Sequence, residues 1–230
     1  MNDFTVANMS CPYTIMKFVL VYRGQLSATQ SKRGKRAKER ALIREQLTPQ
    51  LEKLWAVSPA LETLRQTAWV SKIPGAARPS ADTPFTSKKH VDFFEKSTNY
   101  LNLIEPIERR GKKFLPLIRK SLDLTCSVNV LFLRQEQPGS LMKKAGDLDN
   151  RIKTLLDALQ VPPADHAGDV DEIEDGLNYR LYEDDTLVRG ISIDSERLLL
   201  PETDFPNEVH LIIEVEVHIE RIGEWNMCLR

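Results

Sequence analysis

Cysteine is scarce in this chain: its 230 residues hold three, Cys11, Cys126 and Cys228, odd in number and in no metal-ligand spacing. That pattern argues against a disulfide framework and against a zinc site. Long apolar runs are missing too. The longest near the start, Phe18 to Tyr22, falls far short of the roughly 20 residues a membrane span requires, and no charged leader or cleavage site accompanies it. The expectation is a soluble chain in a reducing cytoplasm with no membrane partner. A net charge of one sign is also lacking. At −1 overall, the balance at first disfavours a nucleic-acid partner.

The average hides a split. Residues 1 to 146 carry 25 Lys+Arg against 12 Asp+Glu, and residues 147 to 230 carry 7 against 21. Such opposition fits a basic surface that tracks phosphates beside an acidic pocket that holds a cation. It fits equally two halves that neutralise each other by packing together.

Residues 1 to 15 show no periodicity and read as a loose extension, with Met16-Lys17 a candidate biological start. Phe18 to Tyr22 reads as a short buried strand closed by Gly24. The basic run Lys32, Arg33, Lys35, Arg36, Lys38, Arg40, Arg44 enters a helix. Pro49 is expected to break that helix, with Thr48 capping a second one that buries Leu51, Leu54 and Trp55. From Ser58 to Pro116 the chain reads as a helical insertion, with a loop from Ile73 to Pro84 and a helix around His90 to Ile104. Leu124 to Leu133 alternates as a half-buried strand.

Ile152, Leu155, Leu156 and Leu159 recur at helical spacing, so Asp147 to Gln160 is an amphipathic helix with Asp149 or Asn150 placed to cap it. An acidic loop follows from Val161 to Leu177. Strand patterns return at Tyr179 to Tyr182 and Leu187 to Ile193, broken by Asp184-Asp185, and again at Val209 to Ile219, where His210 and His218 fall on the exposed face. This order predicts an α/β (α+β) chain: one small mixed sheet packed with helices. The core spans 16–57 and 122–219, with insertions at 58–116 and 161–177.

The chemistry gathers at two acidic pairs, Asp147/Asp149 at a helix entrance and Asp184/Asp185 at a strand break. Carboxylates held about 5 Å apart repel by roughly 3 kcal/mol per pair at an effective dielectric of 20, so a cluster of them needs a cation. Oxygen-only ligands select Mg²⁺, with Mn²⁺ as a substitute, and a hard ion with waters left over suits phosphoryl chemistry. Lys153 lies one turn beyond Asp149, where it reaches a phosphate or pairs with Asp149 or Asp157. Lys143 and Lys144 would flank the site or form a solvated loop. Spacing alone leaves the bland readings open: a helix cap at Asp147 to Asn150, a turn at Asp184-Asp185.

The string Gly146-Asp147-Leu148-Asp149-Asn150-Arg151-Ile152-Lys153, continuing Leu155-Leu156-Asp157-Ala158-Leu159, with Glu183-Asp184-Asp185-Thr186-Leu187-Val188 after it, resembles the RusA family of Holliday junction resolvases. That family shows a D-x-D-N-x-x-K-x-x-x-D-x-L helix and then a D-D pair entering a strand. The resemblance implies a RusA-like fold, a homodimer, and metal-dependent cleavage of four-way DNA junctions. It implies Asp147, Asp149 and Asp185 as catalytic carboxylates and metal ligands, Asp184 as their acidic neighbour, and Lys153 as the catalytic lysine. DNA would be held by Lys32, Arg33, Lys35, Arg36, Lys143 and Lys144. Roughly half of the chain is covered, and the stretches 58–116 and 161–177 have no counterpart in it. Two rival expectations are a RusA-like module that binds DNA or a protein without cutting, and a nuclease for flaps, single strands or RNA.

Overall fold

The computed structural model describes residues 13–26, 33–73, 99–135, 146–163, 176–199 and 208–230, and the side chains among them except those of 13, 14, 33–35, 146 and 147. The fold is mixed α+β, as the alternation of patterns predicts.

The largest sheet is four-stranded, in the order β1 (Tyr13–Gln25), β9 (Glu208–Ile219), β6 (Leu124–Arg134), β8 (Val188–Arg197). Its first two pairings are antiparallel and β6/β8 is parallel. Strict alternation drives it: Val209, Leu211, Ile213, Val215, Val217 and Ile219 of β9 are buried, as are Cys126, Val128, Val130 and Phe132 of β6. Period two puts each set on one face, where the core forms. Burial alone pushes the Cys126 thiol up to about 12. β1 is longer than its apolar run suggests. Polar residues such as Lys17 and Arg23 extend it by pairing with Glu216 and Glu208 of β9, opposite-charge cross-strand contacts that suit a half-exposed strand.

A second sheet has three strands, β4 (Ile107–Arg109), β5 (Lys112–Ile118) and β7 (Leu177–Tyr182). β4 and β5 form a hairpin whose turn residues Arg110 and Gly111 both take positive φ, 54° and 75°, the geometry of a tight primed turn. β5 and β7 pair in parallel. The short strands β2 (Trp69–Ser71) and β3 (Tyr100–Asn102) form a third sheet. Sequence patterning merges these strands into one sheet; the structure separates them.

The helix break expected at Pro49 does not occur. Helix α1 runs unbroken for 25 residues, Arg33–Val57, with Pro49 inside it. An interior proline costs about 3 kcal/mol. Yet Ile43 and Leu47 before it, and Leu51 and Trp55 after it, are all buried on one stripe, and each large apolar side chain buried is worth about 1.5–3 kcal/mol. Continuity therefore wins. α1 is also tied to the sheet. Gln50 and Gln46 exchange hydrogen bonds with the backbone of Val21 and Arg23 at 2.7–3.0 Å, so side-chain amides cover part of the free edge of β1.

Helix α2 (Pro59–Thr67) starts with Ser58 as its cap, the Leu61 N–H donating to Ser58 Oγ at 3.4 Å. Its buried Leu61 and Leu64 join the same core as β6 and β9. The described part of 58–116 thus holds one helix and several strands, and β5 crosses the boundary drawn at Pro116. The helix expected around His90 to Ile104 is replaced at its described end by β3, because Tyr100–Asn102 pairs with Trp69–Ser71. Residues 90–98 of it, and 74–84 of the expected loop, lie outside the described residues. Among the described residues, no helix is long and apolar enough to cross a membrane.

Candidate active site

Helix α3 (Gly146–Leu159) is the amphipathic helix its periodicity predicts. Ile152, Leu155, Ala158 and Leu159 are buried, and Arg151 anchors the same side by donating to the Leu26 carbonyl at 2.7 Å. The helix begins at Gly146, so Asp149 and Asn150 sit inside it rather than capping it. Asp149 and Lys153 are exposed, four residues apart and so on one side of the helix.

α3 lies beside α1, and both run in the same direction. The Arg36 guanidinium donates to Thr154 Oγ1 at 3.3 Å and to Asn150 Oδ1 at 3.5 Å. One turn on, Arg40 pairs with Asp157 at 3.5 Å. A further turn on, Arg44 donates to the Asp157 and Ala158 carbonyls at 3.2 and 3.3 Å. The basic start of α1 and the acidic start of α3 therefore share one end of the molecule. Arg36, expected on a DNA-facing surface, turns its guanidinium to α3.

The far end of α3 is closed. A helix leaves its last four carbonyls without helical donors. Here the Leu156 carbonyl accepts both the Gln160 N–H at 3.2 Å and Tyr182 Oη at 2.7 Å, and Arg44 serves the next two. A cation at a helix C-terminus is also favoured by the macrodipole. Burial, followed by the nearby Cys126, Asp157 and Asp185 groups, raises the Tyr182 phenol well above its usual range. It stays protonated and donates.

Asp184 and Asp185 stand where the chain leaves the three-stranded sheet at the end of β7 and enters the four-stranded sheet through a single 3-10 turn, Asp185–Leu187. Asp184 Oδ1 accepts the Thr186 N–H at 2.9 Å; hydrogen bonds from Thr186, aided by Lys120 and Asp185, hold its carboxyl below the usual range. The turn reading of this pair is thus also met. Asp185 is exposed. Val161 N–H donates to the Tyr182 carbonyl at 3.0 Å, which docks the exit of α3 against the strand that carries the acidic pair.

Asp147 lies in the first turn of α3, its side chain outside the described set. Arg33 and Lys35 lie in the first turn of α1 under the same limit, and Lys32, Lys143, Lys144 and residues 164–175 of the acidic loop are outside the described residues. Among the described residues, no three His, Cys, Asp or Glu side chains group closely enough to hold a metal ion. Asp149 and Asp185 are both exposed carboxylates, a donor type that fits a hard dication. Lys153 forms no ion pair with Asp149 or Asp157 among the described residues; Arg40 holds Asp157 instead. His210 contacts Glu208 at 3.5 Å. His218, expected to be exposed, is buried and bonded through Nε2 to Ser127 Oγ at 3.0 Å.

Sequence reasoning missed Tyr182 and the structural role of Arg36, Arg40 and Arg44. Their spacing of four within a basic run marks one helix face and was the available signal. No family model, curated protein or solved structure matches the chain.

Proposed function

We propose that this chain is a Mg²⁺-dependent endodeoxyribonuclease that resolves four-way junctions or other branched DNA, working as a cytoplasmic homodimer in recombination or repair, in the manner of the RusA family it resembles. One observation carries the reading: the start of α3, with its acidic motif, sits beside the basic start of α1, joined by Arg36 to Asn150 and Thr154. A phosphodiester backbone needs both signs at once, cations for its phosphates and carboxylates for the ion that activates them.

In this reading Asp147, Asp149 and Asp185, with Asp184 adjacent, would hold Mg²⁺ or Mn²⁺. A bound hard dication polarises the phosphate and lowers the pKa of water. Lys153 offers its ammonium to a non-bridging phosphate oxygen from the exposed side of α3. Arg36 is a positioning residue that fixes the first turns of α3 against α1. Hydrolysis is in line: water attacks phosphorus, the bond to the 3′ oxygen breaks, and that oxygen leaves as a hydroxyl. Arg33 and Lys35 lie beside this end and would track the duplex arms.

The test is purified protein on a synthetic four-way junction with Mg²⁺, beside Asp149→Asn. Paired nicks by the parent and their loss in the variant are expected, with sedimentation reporting a dimer. Absence of metal-dependent cleavage by the parent sinks the enzymatic reading. Removing Arg33 or Lys35 should flatten the salt dependence of junction binding by about 0.9 log unit per lost phosphate contact. The rival reading is a module that holds branched DNA without cutting. Junction binding with no turnover in Mg²⁺ or Mn²⁺ selects it.

A further inference from the structure

The tip of the β4–β5 hairpin is cationic at every position but the turn glycine: Arg109, Arg110, Gly111, Lys112, Lys113. This tip is poorly matched to its own fold. Arg109 and Lys112 stand directly opposite each other across the ladder, and like charges so placed are destabilising. Arg110 takes a φ of 54° at the first position of the turn, where a primed turn favours Asn and an arginine is strained. Stability alone would choose Asn-Gly there, with opposite charges beside it. The base of the hairpin is firm by contrast. Ile107 pairs with Phe114, which is buried and carries Arg180 stacked 5.3 Å from its ring centre. Arg110 and Lys113 are exposed, and Arg109, Arg110 and Lys113 form no salt bridge among the described residues. The acid in register with the group is Glu108, opposite Lys113.

Exposed cations that outnumber their neighbouring acids suit an extended polyanion, and a two-stranded ribbon fits the major groove of B-form DNA, about 12 Å wide. The hairpin is also aligned with the acidic pair. β5 and β7 run in parallel away from the tip, Lys113 pairing with Leu177 at one end and Ile118 with Tyr182 at the other, and Asp184 follows. At about 3.3 Å per residue, the path from Leu177 to Asp184 covers about 20 Å, close to six steps of a duplex at about 3.4 Å each. We propose that the β4–β5 hairpin is an arm that grips the phosphates of a DNA duplex about six base pairs from the acidic pair. The choice of DNA over other polyanions rests on the nuclease reading above, and the proposal gives part of the 58–116 insertion a task in it.

The experiment titrates the full chain with a plain DNA duplex in EDTA, where no metal supports cleavage, across salt from about 50 to 200 mM. Arg110→Asn should flatten the slope of log affinity against log salt by about 0.9, and Arg110→Asn with Lys113→Gln by about 1.8. Thermal unfolding of Arg110→Asn should match or exceed that of the parent, since Asn-Gly is the favoured turn; a tip that serves only the fold would leave the slope unmoved. Poly-L-glutamate is the competing probe, because the acidic stretch 164–175, outside the described residues, rejoins the sheet at Leu177 opposite Lys113. It should fail to displace the duplex. Unchanged slopes in both variants, or displacement by poly-L-glutamate at equal charge, which would make the partner an acidic polypeptide, overturns the proposal. Flattened slopes in a chain that never cuts junctions keep the hairpin and remove the nuclease; junction cutting with unchanged slopes does the reverse.

Discussion

The two ends of α3 differ in what surrounds them. At its C-terminal end, carbonyls and charges are met: Gln160 and Tyr182 both donate to the Leu156 carbonyl, Arg44 serves two more, and Arg40 takes the Asp157 carboxylate. Toward its start, the inner side is anchored by Arg36 and Arg151, while the side chains of Asp149 and Lys153 stand exposed, with no side-chain hydrogen bond or ion pair among the described residues. One end of the helix is tied into the fold; the other carries exposed charge, which the proposed function assigns to a ligand.

Breaking the closed end should cost the most stability. Arg44→Met removes a buried cation and strands two carbonyls, so unfolding in urea should show a loss of about 3 kcal/mol. Tyr182→Phe removes one hydrogen bond and should cost about 1 kcal/mol by the same measurement.

A smaller effect comes from outside the contrast. Burial, then the Arg189 charge, pushes the His218 imidazole below its ordinary 6.5. The folded chain therefore takes up a proton less readily than the unfolded one. Stability from this group is complete above pH 6.5 and declines as pH falls through that value toward the depressed folded pKa. Thermal melts between pH 7.5 and 5.5 should show this decline, flattened in His218→Gln; a Tm that rises on acidification contradicts it. Smallest of all, Asp149→Asn should leave the unfolding midpoint within about 0.5 kcal/mol of the parent. A large loss there would give the open end a structural purpose and erase the contrast.

The sequence made the strongly periodic parts legible. The alternation of β6 and β9 and the four leucine and isoleucine positions of α3 each specify a buried face, and the structure has them. Pro49 misled because local helix cost was weighed without the tertiary stripe from Ile43 to Trp55. β3 was hidden in a segment whose extended form depends on a distant partner, Trp69–Ser71. The division into separate sheets is a matter of pairing, which period two does not encode. For the site, the positions of Asp149, Lys153 and Asp184-Asp185 on helix and strand end were readable from spacing. The direction of Arg36, Arg40 and Arg44 was not, since a basic run looks alike whether it meets phosphate or the carbonyls of a neighbouring helix.

Cleavage per folded molecule is the measurement that reaches the central claim most directly: Mg²⁺-dependent nicking of a four-way junction, normalised to the folded fraction, for the parent, Asp149→Asn and Arg44→Met. The account predicts that Asp149→Asn folds like the parent and cuts at least about a thousandfold more slowly, a barrier increase of about 4 kcal/mol, while Arg44→Met is destabilised yet cuts normally once folded. Equal cleavage by the parent and Asp149→Asn would contradict it.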